Sequence, residues 1–136
     1  MRQFSSRILI EGEAEAPLLK LESDISFWGD VDPTTGKLIN CRHPQAGECI
    51  SGKILAVKRS IGSSSGSAIL LELMRLKCGP AGIILVETDF IVTLGAVVAR
   101  EMGYGQVPVI QIEKKDFPQL PGKARITRSG ELTGLD

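Results

Sequence analysis

Between two strongly apolar runs, Ile54-Leu55-Ala56-Val57 and residues 68–77, the chain carries Lys58-Arg59-Ser60-Ile61-Gly62-Ser63-Ser64-Ser65-Gly66-Ser67. A short apolar run followed by glycines and serines reads as a buried strand entering a loop. The run after it, with Glu72 and Arg75 three apart among leucines, reads as a mostly buried helix. Gly79-Pro80 ends that helix, Gly79 as a left-handed C′ residue and Pro80 because it cannot continue the ladder. The alternation then repeats: an apolar strand over 82–87, a helix over 90–102 ending at Gly103, and a strand over 107–112. Strand, helix, strand, helix, strand in this order predicts an α/β core with parallel pairing.

Residues 6–21 read as extended, and the tail around 123–127, with a turn at Ser129-Gly130, adds further strands of antiparallel sense. Gly29-Asp30-Val31-Asp32-Pro33-Thr34-Thr35-Gly36 is a structured loop, because Gly, Asp and Pro supply turn dihedrals and local side-chain bonds. With 136 residues, no repeat and no linker, residues 1–136 are expected to form a single domain. The 43% hydrophobic and 24% charged composition is that of a folded chain. Sixteen basic residues balance sixteen acidic ones, and six scattered aromatics offer no stacking platform, so nucleic acid is not an expected partner. The apolar stretch 91–99 is too short to span a membrane, and the N-terminal residues lack a secretory apolar core, which points to the cytoplasm. Cys41, Cys49 and Cys78 are odd in number and separated by 7 and 28 residues, a spacing expected of buried free thiols rather than of a bridge or a cluster site.

The loop from Ser60 to Ser67 is the main candidate for chemistry. Glycines allow a tight turn, and serines bring hydroxyls beside the unpaired amides of a first helical turn, an arrangement that stabilises a carboxylate or a developing alkoxide. The same composition also suits a flexible loop with a capping serine. Position favours a site, since ligands bind where strands of an α/β sheet end. Gly62-Ser63-Ser64-Ser65-Gly66 matches the nucleophile elbow, but the single histidine, His43, precedes the serine, opposite to the hydrolase order. Gly47 to Lys53 matches a phosphate loop except that Ile54 replaces the magnesium-binding hydroxyl and a strand follows. His43 itself reads as structural or solvated. Glu11, Glu13 and Glu15 at period two read as one solvated face, as do Lys114-Lys115-Asp116 and the pair Arg125 and Arg128.

Several segments together resemble the small subunit, or swivel domain, of the aconitase X family. They are Gly12-Glu13-Ala14-Glu15, Ser26-Phe27-Trp28-Gly29-Asp30-Val31-Asp32-Pro33-Thr34-Thr35-Gly36, residues 50–67, and residues 81–87 through 95–99. The resemblance implies a β/β/α swivel fold as in the aconitase superfamily, a mixed sheet with helices. It implies a dehydratase in which the first serine after the loop glycine, here Ser63 after Gly62, acts as general base. Gly62, Ser64 and Ser65 would help to bind a small hydroxy-acid substrate, with Ser64, Ser65 or an arginine of the partner holding its carboxylate. The iron–sulfur cluster or iron, which acts as Lewis acid on the departing hydroxyl, would be carried by a separate large subunit, with no metal ligand in this chain. Two family activities compete, dehydration of cis-3-hydroxy-L-proline and of phosphomevalonate. Ile61 stands where the second type tends to carry a lysine, which favours the first. Lys58 departs from the proline common in the family, and Ser65 from the arginine of true aconitases. A non-catalytic module that binds a carboxylate is the reading from another class.

Overall fold

The computed structural model describes residues 2–62 and 65–135. Among the described residues there are eight strands: β1 (Arg2–Phe4), β2 (Ser6–Ile10), β3 (Ala14–Lys20), β4 (Ile54–Ala56), β5 (Gly82–Leu85), β6 (Val109–Ile112), β7 (Lys123–Ile126) and β8 (Leu132–Gly134). With them go a short turn α1 (Phe27–Asp30), in which Trp28 and Gly29 have non-helical dihedrals, two longer helices α2 (Ser65–Arg75) and α3 (Phe90–Glu101), and a 3-10 turn at Lys114–Gln119. The strand order is β1-β8-β7-β3-β4-β5-β6-β2. From β3 to β6 the pairing is parallel, and the pairs at either side are antiparallel.

The two ends of that order, β1 and β2, are separated in sequence only by Ser5. Two residue steps reach about 7 Å, so the antiparallel strands must fold back over the parallel ones. Alternation along β4 shows what fills the gap. Ile54 and Ala56 belong to an apolar cluster with Phe4 of β1, Ala124 and Ile126 of β7, and Leu132 of β8. Leu55 and Val57 belong to the other cluster, with Leu70 and Leu73 of α2 and Val92 and Ala96 of α3. Antiparallel layer, parallel layer and helical layer therefore stack as β/β/α. Strands covered on both faces need apolar residues at every position. That is why 54–57 and 82–85 read as continuous runs, and each fully buried Ile or Leu among them contributes about 1.5–3 kcal/mol.

Several local expectations need correction. The extended N-terminal segment is interrupted at Glu11-Gly12-Glu13, where Gly12 lies against Pro108 too closely for an easy Cβ. Glu11, Glu13 and Glu15 are exposed as expected, yet Glu11 pairs with Arg128 and Glu15 with Arg125, joining two groups that the sequence leaves unconnected. The hydrogen bond from Arg125, then its charge, lowers the Glu15 pKa. The expected structured loop holds, with the Asp32 carboxylate accepting from the Thr34 hydroxyl and amide and its pKa lowered by them, the hydroxyl foremost. The three cysteines are free thiols but not buried ones: Cys41 is exposed, and Cys49 and Cys78 are half-buried, donating to the carbonyls of Thr35 and Thr34.

Helix α2 begins at Ser65, three residues before the expected start, and its left-handed residue is Lys77 (φ 60°), not Gly79. Cys78 N–H donates to Leu73 O and Lys77 N–H to Met74 O, the paired bonds of a Schellman end. At Gly79 a Cβ would instead meet Met74 Sδ, so the methionine side chain would have to move aside. A lysine held left-handed carries strain that glycine does not. Lys77→Gly is therefore expected to stabilise the protein by about 1 kcal/mol, read as a rise of about 3–5 °C in the thermal midpoint.

Candidate functional site

The loop leaving β4 lies at the carboxyl end of the parallel layer, and three neighbouring segments shape it. The first is Ser26 with α1. Ile61 N–H donates to Ile25 O at 2.8 Å, and Ser60 bridges to Ile25 in parallel sense, so the loop runs as a short strand continuation beside Ile25. At Gly62 the chain turns with φ +103°, and a Cβ there would lie 3.2 Å from Ser26 Oγ. Both the dihedral and the close approach call for glycine. Ser26 is held in turn: its amide donates to Asp30 Oδ2 at 2.8 Å and its hydroxyl to Trp28 O at 2.7 Å, while Asn40 Nδ2 donates to Asp30 Oδ1.

The second segment is the start of α3. Asp89 is buried, and its Oδ1 caps that helix by accepting from Ile91 N–H and Val92 N–H. Its Oδ2 accepts from Ser60 N–H at 2.5 Å, so one carboxylate ties the loop backbone to the α3 N-terminus. The Ser60 hydroxyl is buried and has no hydrogen-bond partner among the described residues. The third segment is the first turn of α2, where Ser65 is exposed and Gly66 sits against Ile91 and Phe27. Ser67 Oγ donates to Ile91 O at 2.8 Å, locking the two helix starts together.

The candidate residues thus separate into two groups. Gly62, in the loop after β4, and Ser65, at the start of α2, are both exposed. Ser63 and Ser64 lie outside the described residues. Asp89 was not singled out from the sequence, although an aspartate just before the apolar run from Phe90 is a recognisable cap signal. Its bond to Ser60 has no sequence signal, being a contact across 29 residues. His43 is structural: it is buried, its Nδ1 accepts from Gln45 N–H, and its Nε2 lies 3.4 Å from Ser23 Oγ. Cys41, Cys49 and Cys78 do not converge, and among the described residues no three His, Cys, Asp or Glu side chains are grouped to hold a metal ion. No described helix is long and apolar enough to cross a membrane. On the same carboxyl-end rim, Lys20, Lys58 and Lys114 line one cleft of about 210 Å³ over Phe117, with Lys58 Nζ 5.9 Å from that ring.

Replacing Asp89 by Ala removes a cap and leaves the buried Ser60 amide unpaired, a combined loss of about 2–4 kcal/mol in denaturant titration. Asp89→Asn keeps a capping oxygen but turns an NH2 donor toward the Ser60 amide, so it should recover only the cap's share, about 1 kcal/mol, of the loss in the alanine variant.

Comparison with known proteins agrees with this architecture. Residues 3–132 match the family model for the aconitase X swivel domain. The chain is 40% identical over 117 residues to the cis-3-hydroxy-L-proline dehydratase of Hypocrea jecorina, covering 86% of this chain and 20% of that protein. It therefore spans about a fifth of the length of that relative, and 18% of its counterpart in Pseudomonas aeruginosa. It is 35% identical over 114 residues to the phosphomevalonate dehydratase small subunit of Methanosarcina mazei, covering 84% of this chain and 75% of that one. In structure it is similar to a crystal structure of Thermococcus kodakaraensis aconitase X in its holo form, with a TM-score of 0.88, 28% identity and full coverage of both chains. With the β/β/α layering, the strand-to-helix junction at Gly62 and a family match over nearly its whole length, the chain belongs to the aconitase X swivel-domain family.

Proposed function

We propose that this chain is the small, swivel component of a hydro-lyase of the aconitase X family, active only with a large subunit, and that its substrate is cis-3-hydroxy-L-proline. The observation that carries the reading is that Gly62 and Ser65 are exposed beyond the carboxyl end of β4, where Asp89 holds the Ser60 amide and Gly62 packs on Ser26. The 40% identity to a cis-3-hydroxy-L-proline dehydratase supports the substrate, as does Ile61 in place of a cation beside the glycine.

Ser63 is the general base in this reading. A serine hydroxyl removes a proton only if its alkoxide is stabilised, and the amides and dipole at the start of the 11-residue helix α2 supply that stabilisation. Gly62, Ser64 and Ser65 contribute to substrate binding, with the amide and hydroxyl donors that a carboxylate accepts. The iron–sulfur cluster or iron of such an enzyme does not fit this chain's own donors. Cys41 is exposed, and Cys49 and Cys78 direct their thiols to backbone carbonyls, so the group belongs to the large subunit. Free thiols also suit a cytoplasmic enzyme.

A second reading, phosphomevalonate dehydration, has one observation in its favour. Lys20, Lys58 and Lys114 line a common cleft together with one carboxylate, Glu22, and its net positive charge suits a phosphate. The 35% identity to a small subunit of that name adds support. A carboxylate-binding module without turnover is the third.

The deciding assay is the chain purified with the product of the neighbouring reading frame and offered both substrates, with loss of water followed by mass. Dehydration of cis-3-hydroxy-L-proline is expected; dehydration of phosphomevalonate alone selects the second reading, and neither, with ligand binding by the isolated chain, selects the third. Ser63→Ala is expected to lower turnover by about a thousandfold while unfolding stability stays within about 0.5 kcal/mol. A variant keeping most of its rate removes Ser63 from the role of base.

A further inference from the structure

Three lysines meet on the carboxyl-end rim: Lys20 ends β3, Lys58 follows the end of β4, and Lys114 opens the 3-10 turn after β6. Together with Glu22, Phe117 and Pro118 they line one cleft of about 210 Å³. Two of the ammonium groups are held by the 3-10 turn itself. Lys20 Nζ donates to Pro118 O at 3.1 Å, and Lys58 Nζ stands 5.9 Å from the centre of the Phe117 ring, within cation–π range. That ring is buried, and the backbone under Lys58 is pinned as well, its carbonyl accepting from Val86 N–H at 3.1 Å and Glu87 N–H at 3.0 Å. Phe117 packs in the apolar cluster of Ala56 and Ile126, on the antiparallel side of the parallel layer. Beyond Ser60 the chain crosses to the helical side, where Gly66 and Ser67 meet Ile91 of α3. The lysine cleft and the start of α2 therefore lie toward opposite faces of the parallel strands.

Like charges brought together repel, and a chain with sixteen acidic residues has carboxylates enough to separate its sixteen basic ones. Among the described residues none of these three lysines forms an ion pair, whereas Lys115, one position away, pairs with Glu113 at 3.4 Å. Three ammonium groups less the one carboxylate of Glu22 leave the cleft with a net charge of +2. A doubly charged anion balances it. A phosphate group carries about −1.5 to −2 near pH 7 and offers three acceptor oxygens to three donors, while a carboxylate has one charge and two oxygens. The volume is below the roughly 300–1,000 Å³ of sites for larger ligands, so the occupant is small. We infer that the cleft of Lys20, Lys58 and Lys114 is a phosphate-binding site, filled by the free ion or by the phosphate of a small monoester. This goes beyond the preferred substrate, which has no phosphate, and does not depend on turnover.

The test titrates the full chain with inorganic phosphate and, in parallel, with glycerol phosphate, at an ionic strength of about 0.15 M, and follows backbone amides by NMR. Expected are saturable shifts centred on Glu22, Lys58 and Phe117. Lys58→Gln and Lys114→Gln, both at exposed side chains, should each weaken binding about fivefold or more, and Glu22→Gln should tighten it. Lys115→Gln removes the same charge one residue outside the cleft and should stay within about twofold. Circular dichroism with thermal melting checks that each variant is folded. Tighter binding of glycerol phosphate assigns the site to a monoester, and tighter binding of the inorganic ion assigns it to free phosphate. Shifts that never saturate overturn the site, as does an equal loss in Lys115→Gln, which marks attraction to positive charge in general. Acetate that displaces phosphate at equal concentration overturns the ligand class. None of these outcomes bears on whether the assembled enzyme dehydrates a substrate, and a failed dehydration assay leaves the phosphate site standing.

Discussion

The parallel strands Ile54–Ala56, Gly82–Leu85 and Val109–Ile112 are shielded from water on both sides, and that demand shapes the rest of the chain. One side is covered by α2 and α3, which the crossover connections deliver. The other is covered by strands from both ends of the sequence, which can reach it only because β1 and β2 are nearly continuous. Burial on two faces leaves few places for polar backbone except where the strands stop. The loops at their carboxyl ends then become the natural ground for chemistry.

At that end, the loop after β4 is not left to its own composition. A glycine- and serine-rich segment costs much conformational entropy to order. Here the cost is offset by bonds from outside the segment: Ser60 N–H to Asp89, Ile61 N–H to Ile25 O, and Ser67 Oγ to Ile91 O. The carboxylate of Asp89 is central because its two oxygens serve different elements. One orders the start of α3 and the other orders the exit from β4. The result is a loop whose flanking residues are tied by hydrogen bonds to the start of α3 and to the segment at Ile25.

Much of this was legible without coordinates. Apolar runs at 54–57, 82–87 and 107–112, punctuated by Gly79-Pro80 and Gly103, determined the α/β core, and the residues around Trp28 and Gly62 pointed to the family. Local chemistry carries such signals because periodicity and turn residues act within a few positions. Tertiary structure alone decided the pairing of Glu15 with Arg125, the tether from Asp89 to Ser60, and the left-handed Lys77 ahead of Gly79. It also left Cys49 and Cys78 half-open instead of buried. These depend on which segments meet across tens of residues, and on steric space such as that around Met74, which no periodic pattern along a chain encodes.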